Sequence, residues 1–264
     1  MDNYRPIARI LPAKYGSSTV MKLWLKQLKT YTNKVEKLKL AKTFAYGKLS
    51  NQLSNLKYFQ KIAKQQTLKK LYYTLQEGID NLLKHLNSID QAKSIDNVRE
   101  VEASGARWYW KCVKELLPRS LNFKKRLKRY SLPSGYELDP FNKALNIGYG
   151  LLMKEVWRAI FMIGLNPYIG FLHKPRLKKM SLVFDLMEEF RPVIDRVLIA
   201  KARRNPSKIL LLKDKEKESE GVIEVVKVVT EKLTGIRSEI QKQARKLAET
   251  IMGIEEYTPY KLSY

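Results

Sequence analysis

Four side chains that suit metal or acid–base chemistry stand at three separate places in the sequence: Glu102, His173, and the pair Asp185 and Glu188. Glu102 is unusual because of the residues that share its helical face. One helical face carries it together with five apolar residues: Val98, Ala106, Tyr109, Val113 and Leu116. A carboxylate within an apolar stripe costs free energy unless a cation, a metal or a hydrogen-bond donor compensates it. The alternative is an edge position, with Glu102 paired to an arginine.

Asp185 and Glu188 are three residues apart, so one face of a helix presents both carboxylates. Their neighbours are mostly apolar, which places an acidic pair inside a hydrophobic segment. The alternative is a salt-bridged surface on which Glu188 and Glu189 pair with Arg191 or with lysines. His173 lies in the Gly- and Pro-rich loop before this helix, and a lone loop histidine is usually structural.

Two or three carboxylates with one imidazole form a candidate site for a hard divalent cation. Oxygen-rich ligation with a single nitrogen favours Mg²⁺ or Mn²⁺ over zinc. Beside DNA, such a cation supports phosphodiester chemistry by polarising the phosphoryl oxygen and stabilising the leaving oxygen. Lys174 and Arg176 follow His173 closely and are candidates for binding phosphates.

The charge of the chain favours a polyanionic partner. Its 264 residues include 51 Lys and Arg against 26 Asp and Glu, a net charge of +25. Since 44% of the residues are hydrophobic, a disordered basic tail is excluded. The densest basic run, residues 119–129, contains Lys124, Lys125 and Arg126 and no acid, which favours a segment that follows phosphates over a solvated loop. Arg107 faces either DNA or solvent.

Hydrophobic periodicity predicts a mainly α fold, with one large helical catalytic domain and at most a short β remnant at the N-terminus. We expect helices over about 20–38, 49–64, 68–83, 95–117, 140–164, 179–204 and 222–252, with polar connections at 87–97 and 213–220. The predicted division is a remnant strand and linker at 1–18 and a helical catalytic and DNA-binding domain at 19–264.

The compartment predicted from the sequence is the cytoplasm. One cysteine, Cys112, excludes an intrachain disulfide and a Cys-rich zinc site, as is typical of a reducing compartment. No apolar stretch is long enough for a membrane span, and no helix clearly pairs a basic face with an aromatic one. We therefore expect no membrane partner.

Four stretches resemble the endonuclease/integrase family of the CRISPR adaptation module, the Cas-one (Cas1) family. They are EASGARWYW at 102–110, LDPFNKALNIGYGLL at 138–152, GLNPYIGFLHK at 164–174 and SLVFDLMEEFRP at 181–192. Weaker similarity extends from about Arg5 to the C-terminus and includes GKLSNQ at 47–52. The family is prokaryotic and its large domain is helical, in agreement with the periodicity.

The resemblance implies a set of roles. The family's metal ligands fall on Glu102, His173 and Glu188, a further catalytic acid falls on Asp185, and a basic residue falls on Arg176. The implied activity is metal-dependent DNA nicking and strand transfer, in which a 3′-hydroxyl of a spacer precursor attacks a phosphodiester of the CRISPR repeat during antiviral defence. The implied partners are DNA and the small protein Cas-two (Cas2), which bridges Cas1 dimers.

One feature departs from the family pattern. Relatives usually carry a β-rich N-terminal domain that contributes to the homodimer and to partner contacts, whereas here only Tyr4 to Thr19 correspond to its last strand and linker. Two alternative functions are a non-catalytic or truncated basic helical DNA-binding protein and an RNA-associated structural protein. The acid–histidine–acid set favours the enzyme, because acids facing a polyanion repel phosphate unless a cation lies between them.

Overall fold

The computed structural model describes residues 17–127, 133, 135–175 and 179–263. Eight α-helices make up this part of the chain: α1 (Ser17–Thr32), α2 (Lys34–Gln65), α3 (Lys69–Gln91), α4 (Ile95–Leu116), α5 (Pro140–Ile163), α6 (Ser181–Arg204), α7 (Pro206–Leu210) and α8 (Glu218–Met252). Short 3-10 turns follow α4 and α7. The described residues form no β-strand, and the predicted mainly α class is confirmed.

Several predicted boundaries are wrong, and two of the errors have identifiable local reasons. Helix α2 runs without a break through 39–48, where the prediction has a gap between two helices. The first predicted helix breaks at Asn33, whose side chain accepts hydrogen bonds from the backbone N–H groups of Val35 and Glu36 and so caps α2. The third helix continues to Gln91, past the predicted connection, because buried Ile89 extends its apolar face. The predicted strand lies in residues 1–16, outside the described residues, and helix α1 already includes Ser17 and Ser18.

Other predicted boundaries are confirmed by local chemistry. Asp139 caps α5 by accepting from the backbone N–H of Asn142 at 2.9 Å, and Pro140 takes the first turn. The helix ends at Gly164, as predicted. Within the described ranges, none of the helices is long and apolar enough to cross a membrane.

Helix α6 lies at the centre of the fold. It packs against α2 on one side and against α5 and α8 on the other, while α3 and α4 complete the layer around α2. Because other helices surround α6, residues on most of its faces are buried, from Ser181 to Ala202. Four carboxylates are buried on this helix, and each of them finds its own partners: Asp185, Glu188, Glu189 and Asp195.

Candidate active site

Asp185 holds the loop that carries His173. Its buried carboxylate accepts hydrogen bonds from three consecutive backbone N–H groups, those of Phe171, Leu172 and His173, the last at 2.9 Å. Gly170 makes this approach possible, because a Cβ there would lie 2.7 Å from Asp185 Oδ2 and 2.6 Å from the Ser181 carbonyl carbon. The loop is therefore fixed against the first turn of α6.

The same carboxylate orients the imidazole. His173 Nδ1 lies 2.8 Å from Asp185 Oδ1, and since an ionised carboxylate only accepts, Nδ1 carries the proton. The lone pair then resides on Nε2, in a side chain that is about one-third exposed. This is the carboxylate–imidazole arrangement typical of histidine metal ligands. Asp185 thus has four donors on its two oxygens and acts through His173 and the loop.

Glu102 and Glu188 meet at one cation, the ammonium of Lys48. Lys48 Nζ contacts Glu102 Oε1 and lies 2.6 Å from Glu188 Oε2. The two acids come from α4 and α6 and the lysine from α2, so three helices converge here. Arg191, one turn after Glu188, donates from Nε to the other carboxylate oxygen, Oε1, at 2.9 Å.

Close packing of α2 on α6 brings Lys48 to this position. Gly47 precedes it, and a Cβ there would lie 2.7 Å from Pro259 Cβ and 3.0 Å from Glu189 Cγ. Asn51, one turn later, donates to the carbonyl oxygens of Glu189 and Tyr260 at 2.8 and 2.9 Å. The missing side chain and this amide together hold α2, α6 and the C-terminal segment at the distance that lets Lys48 reach both acids.

The electrostatics of the site favour charged forms. Burial by itself raises the pKa of the Glu188 carboxyl, but Arg191, Lys48 and His173 oppose it, and the resulting pKa is well below the usual range. Burial likewise lowers the pKa of Lys48, yet Glu102 and Glu188 raise it above its usual value. A carboxylate and an ammonium therefore face each other over the whole neutral range.

The donor set suits a hard divalent cation, although the ligands are not yet closed around one. Among the described residues, no three carboxylate, imidazole or thiol groups are near enough to one another to hold a metal ion as they stand. Glu188 Oε2 is buried without a well-directed hydrogen-bond donor, although Lys48 is in ion-pair contact with it. Two carboxylates and a free Nε2 are the ligand types that Mg²⁺ or Mn²⁺ accepts.

The structure tests the two alternatives to a metal site: a surface salt bridge for Glu188 and an edge position paired with an arginine for Glu102. Glu188 does pair with Arg191, but the pair is buried, with only 6% of the Glu188 side chain exposed. Glu102 is paired with a lysine instead of an arginine, and its side chain is 17% exposed. The second histidine, His85, contacts the Asn81 carbonyl and the Ser104 hydroxyl, consistent with a structural role.

Sequence reasoning missed Lys48 and Arg191 as site residues. Lys48 stands within the GKLSNQ stretch at 47–52, and Arg191 is at i+3 from Glu188. Position was the only signal for either residue. Lys48 follows a glycine in a well-packed helix, and Arg191 lies one helical turn after a buried acid. Nothing in α2 indicates that Lys48 faces α4 and α6, because that depends on how three helices pack.

The predicted DNA-binding residues differ in how exposed their side chains are. Arg107, Lys124 and Lys125 are exposed, and exposed Lys174 lies 3.5 Å from Asp96. Arg126 is half-buried, and its guanidinium donates to the side chains of Asn142 and Asn146 and to the Leu127 carbonyl. Its donors are therefore engaged within the protein. Arg176 lies outside the described residues.

Lys124 lines a groove that we call the basic groove. It has a volume of about 1110 Å³ and lies where the start of α3 meets the end of α4. Its lining includes one acid, Glu115, and six cations: Lys69, Lys70, Lys114, Arg119, Lys124 and Arg203. Lys114 is twelve residues from Glu102 on α4, which at about 1.5 Å per residue separates the groove from the acidic site by roughly 18 Å along that helix.

Comparison with known proteins gives the family. The model of the family "CRISPR associated protein Cas1" matches residues 2–223. The chain belongs to the Cas1 family. It is 44% identical over 260 residues to the CRISPR-associated endonuclease Cas1 1 of Saccharolobus solfataricus, a match that covers 98% of this chain and 65% of that relative. The chain thus spans less than two thirds of the length of this Cas1 relative.

Solved structures confirm the fold. A casposase bound to its integration product superposes with a TM-score of 0.77 at 23% identity, covering 96% of this chain and 70% of the other. A partial Cas6-RT-Cas1–Cas2 complex also gives a TM-score of 0.77, at 19% identity, covering 98% of this chain and 77% of the matched chain. The helical fold of this Cas1-family chain is therefore shared with proteins solved on DNA and with Cas2.

Proposed function

We propose that this protein is a metal-dependent DNA endonuclease and integrase of CRISPR adaptation, which joins short DNA spacers to the CRISPR repeat by transesterification. The observation that carries the proposal is the meeting of Glu102 and Glu188, from two helices, at one cation, with His173 close enough to help lower the pKa of Glu188. A purely structural pair in a chain of net charge +25 has no need of an oriented imidazole as well. The name of its Saccharolobus relative supports the same activity.

Glu102, His173 Nε2 and Glu188 would hold Mg²⁺ or Mn²⁺. Such an ion supplies Lewis-acid polarisation of the scissile phosphodiester and stabilises the leaving oxygen. The protein does the positioning: Asp185 fixes the His173 tautomer and the loop, and Arg191 holds one oxygen of Glu188. These contacts do not involve His173 Nε2 or Glu188 Oε2, and Lys48 is the cation that occupies Oε2.

We propose DNA, both spacer precursor and CRISPR repeat, as the substrate. The charge of +25 and the basic groove support it, because phosphate contacts from lysine and arginine supply most of the sequence-independent affinity for DNA. The likeness to a Cas1–Cas2 complex supports Cas2 as a partner, and we propose a homodimer as the unit that Cas2 bridges. The second candidate, a non-catalytic DNA-binding protein, keeps the basic surface and assigns no chemistry to the acids.

One experiment separates the two functions. Supercoiled plasmid DNA carrying a CRISPR repeat is incubated with the protein, Mn²⁺ and a short DNA with a free 3′-hydroxyl, and nicked and joined products are resolved on gels. We expect Glu102→Gln and His173→Ala to lower nicking by at least about a hundredfold while DNA affinity is retained. Equal cutting by both variants and the parent would end the catalytic assignment.

A second set of variants tests whether DNA binds in the basic groove. The triple variant Lys69→Glu, Lys70→Glu and Lys124→Glu is expected to weaken DNA binding. It should also reduce the dependence of log K on log salt by about 0.9 for each phosphate that the variant no longer binds. The matched control reverses three exposed lysines near the start of α8: Lys213, Lys215 and Lys217. Equally weakened binding in both triple variants would show that net charge alone, and no particular groove, binds DNA.

A further inference from the structure

The Lys48 ammonium is bound on two sides by acids and largely shielded from water. Only 15% of its side chain is exposed, against 17% for Glu102 and 6% for Glu188. The three groups come from three different helices, so none of these contacts arises from local sequence. Removing one partner from a buried ion pair leaves the other charge uncompensated. Here Glu102 and Glu188 share one lysine, and without it no cation would lie between them, although Arg191 would still pair with Glu188.

The two oxygens of Glu188 differ in how firmly they are held. Oε1 accepts from Arg191 Nε, and the guanidinium of Arg191 also stacks 4.6 Å from the centroid of the Tyr149 ring. Oε2 lies 2.6 Å from Lys48 Nζ but accepts no well-directed hydrogen bond. Arg191 is therefore fixed by a ring and an acid, whereas Lys48 reaches its two acids on a flexible four-carbon stem.

We propose that Lys48 is an internal counter-ion that keeps Glu102 and Glu188 together before a divalent cation binds and leaves their shared space when that cation arrives. This inference rests on the proposed function, because it needs the two acids to be metal ligands. Glu188 Oε2 is then the ligating oxygen, while Arg191 stays on Oε1. Lys48 competes with the metal for the same two carboxylates, so it lowers metal affinity while it stabilises the metal-free fold.

The charge and size of the metal ion favour an exchange. A divalent cation carries twice the charge of the ammonium and, as Mg²⁺, binds oxygens at about 2.0–2.1 Å, so it attracts Glu102 and Glu188 more strongly than Lys48 does. A shared ammonium brings both acids to one point, which preorganises them for a smaller and more highly charged ion.

The test compares the full chain with its Lys48→Met variant, which keeps the stem and removes the charge. Mn²⁺ alone is the probe, measured by calorimetric titration and by electron paramagnetic resonance of the bound ion, with thermal unfolding recorded with and without Mn²⁺. We expect the metal-free variant to melt at a lower temperature than the parent. We also expect it to bind Mn²⁺ at least about tenfold more tightly, so that Mn²⁺ raises its melting temperature by more.

The matched control is Lys201→Met. Lys201 is similarly shielded, with 20% of its side chain exposed, and pairs with Glu224 at 2.8 Å near the C-terminal end of α6. Its removal should lower stability without changing Mn²⁺ affinity. If Lys48→Met does not fold even with Mn²⁺, Lys48→Gln, which retains an amide donor, takes its place with the same expectations. Folding of either Lys48 variant only in the presence of Mn²⁺ would support the exchange directly.

The possible results separate this inference from the proposed function. If the parent binds Mn²⁺ and the Lys48 variants bind it equally or more weakly, Lys48 is not a competitor and the inference is wrong, while the metal site stands. If neither parent nor variants bind Mn²⁺, and Glu102→Gln has no effect on nicking, both the inference and the metal-dependent mechanism fail. Tighter binding that disappears again in Lys48→Met combined with Glu188→Gln supports both.

Discussion

Replacement of Asp185 by Asn tests whether this carboxylate organises the active-site loop. Asp185 Oδ2 accepts from the N–H groups of Phe171 and Leu172, and Oδ1 accepts from the N–H and the Nδ1 of His173. An asparagine has one acceptor oxygen and one donor NH₂ group. In either orientation, the NH₂ group faces two donors, so two of the four hydrogen bonds cannot form.

The size of the effect follows from those two bonds. Each buried donor left without an acceptor costs about 1–3 kcal/mol. Asp185→Asn should therefore reduce the free energy of unfolding by roughly 2–6 kcal/mol if the NH₂ group faces the N–H groups of Phe171 and Leu172, and by roughly 1–3 kcal/mol if it faces His173. That is a large share of the roughly 5–15 kcal/mol that stabilises a typical domain. If the NH₂ group turns towards His173, it donates to Nδ1, the ring proton moves to Nε2, and the lone pair needed for ligation is no longer there.

The assay combines urea unfolding with hydrogen exchange at the amides of residues 171–173. We expect a lower urea midpoint, faster exchange at these amides and weaker Mn²⁺ binding. Asp96→Asn is the control, because Asp96 is exposed and its ion pairs with Arg99 and Lys174 are worth no more than about 1 kcal/mol. An unfolding free energy within about 1 kcal/mol of the parent, with unchanged exchange in the loop, would refute the assigned role of Asp185.

Two further predictions concern the packing beside the site. Burial raises the pKa of Glu189 from 4.5 to about 8, although Tyr257 and Tyr260 donate to it. Between these values the folded protein binds more protons than the unfolded chain, so stability should fall as pH rises through that window, by an amount on the order of several kcal/mol. Glu189→Gln should reduce this slope in urea melts at pH 5 and pH 8, and buried Asp195, whose pKa is raised to about 6, should supply the rest at the lower end. A slope unchanged in the variant would count against the buried neutral carboxyl. Gly47→Ala should lower the free energy of unfolding by about 1–3 kcal/mol through contact with Pro259 and Glu189. Gly235→Ala, in open space on α8, is the control and should raise it by up to about 1 kcal/mol. Equal effects of the two substitutions in thermal melts would contradict the close packing of α2 on α6.

The helical class and most boundaries could be predicted because they depend on local chemistry. Apolar residues at helical spacing, the cap at Asp139 and the stop at Gly164 act over a few residues, and the structure confirms them. The wrong boundaries came from competing local signals: a single Asn33 cap interrupts a continuous apolar pattern, and polar residues around Ile89 hide a helical turn.

The sequence alone determined the chemistry available to this protein: a large positive charge, acids within apolar stripes, one loop histidine, and motifs that assign the chain to the Cas1 family. Tertiary structure decided how these groups are used. Asp185 turned inward to backbone N–H groups, and Arg126 bonded to asparagines. The sequence pattern of α2 does not single out Lys48, but its ammonium lies between Glu102 and Glu188. The reason is physical: residue type fixes charge and donor capacity, but the partner of a buried charge is set by which helices pack together.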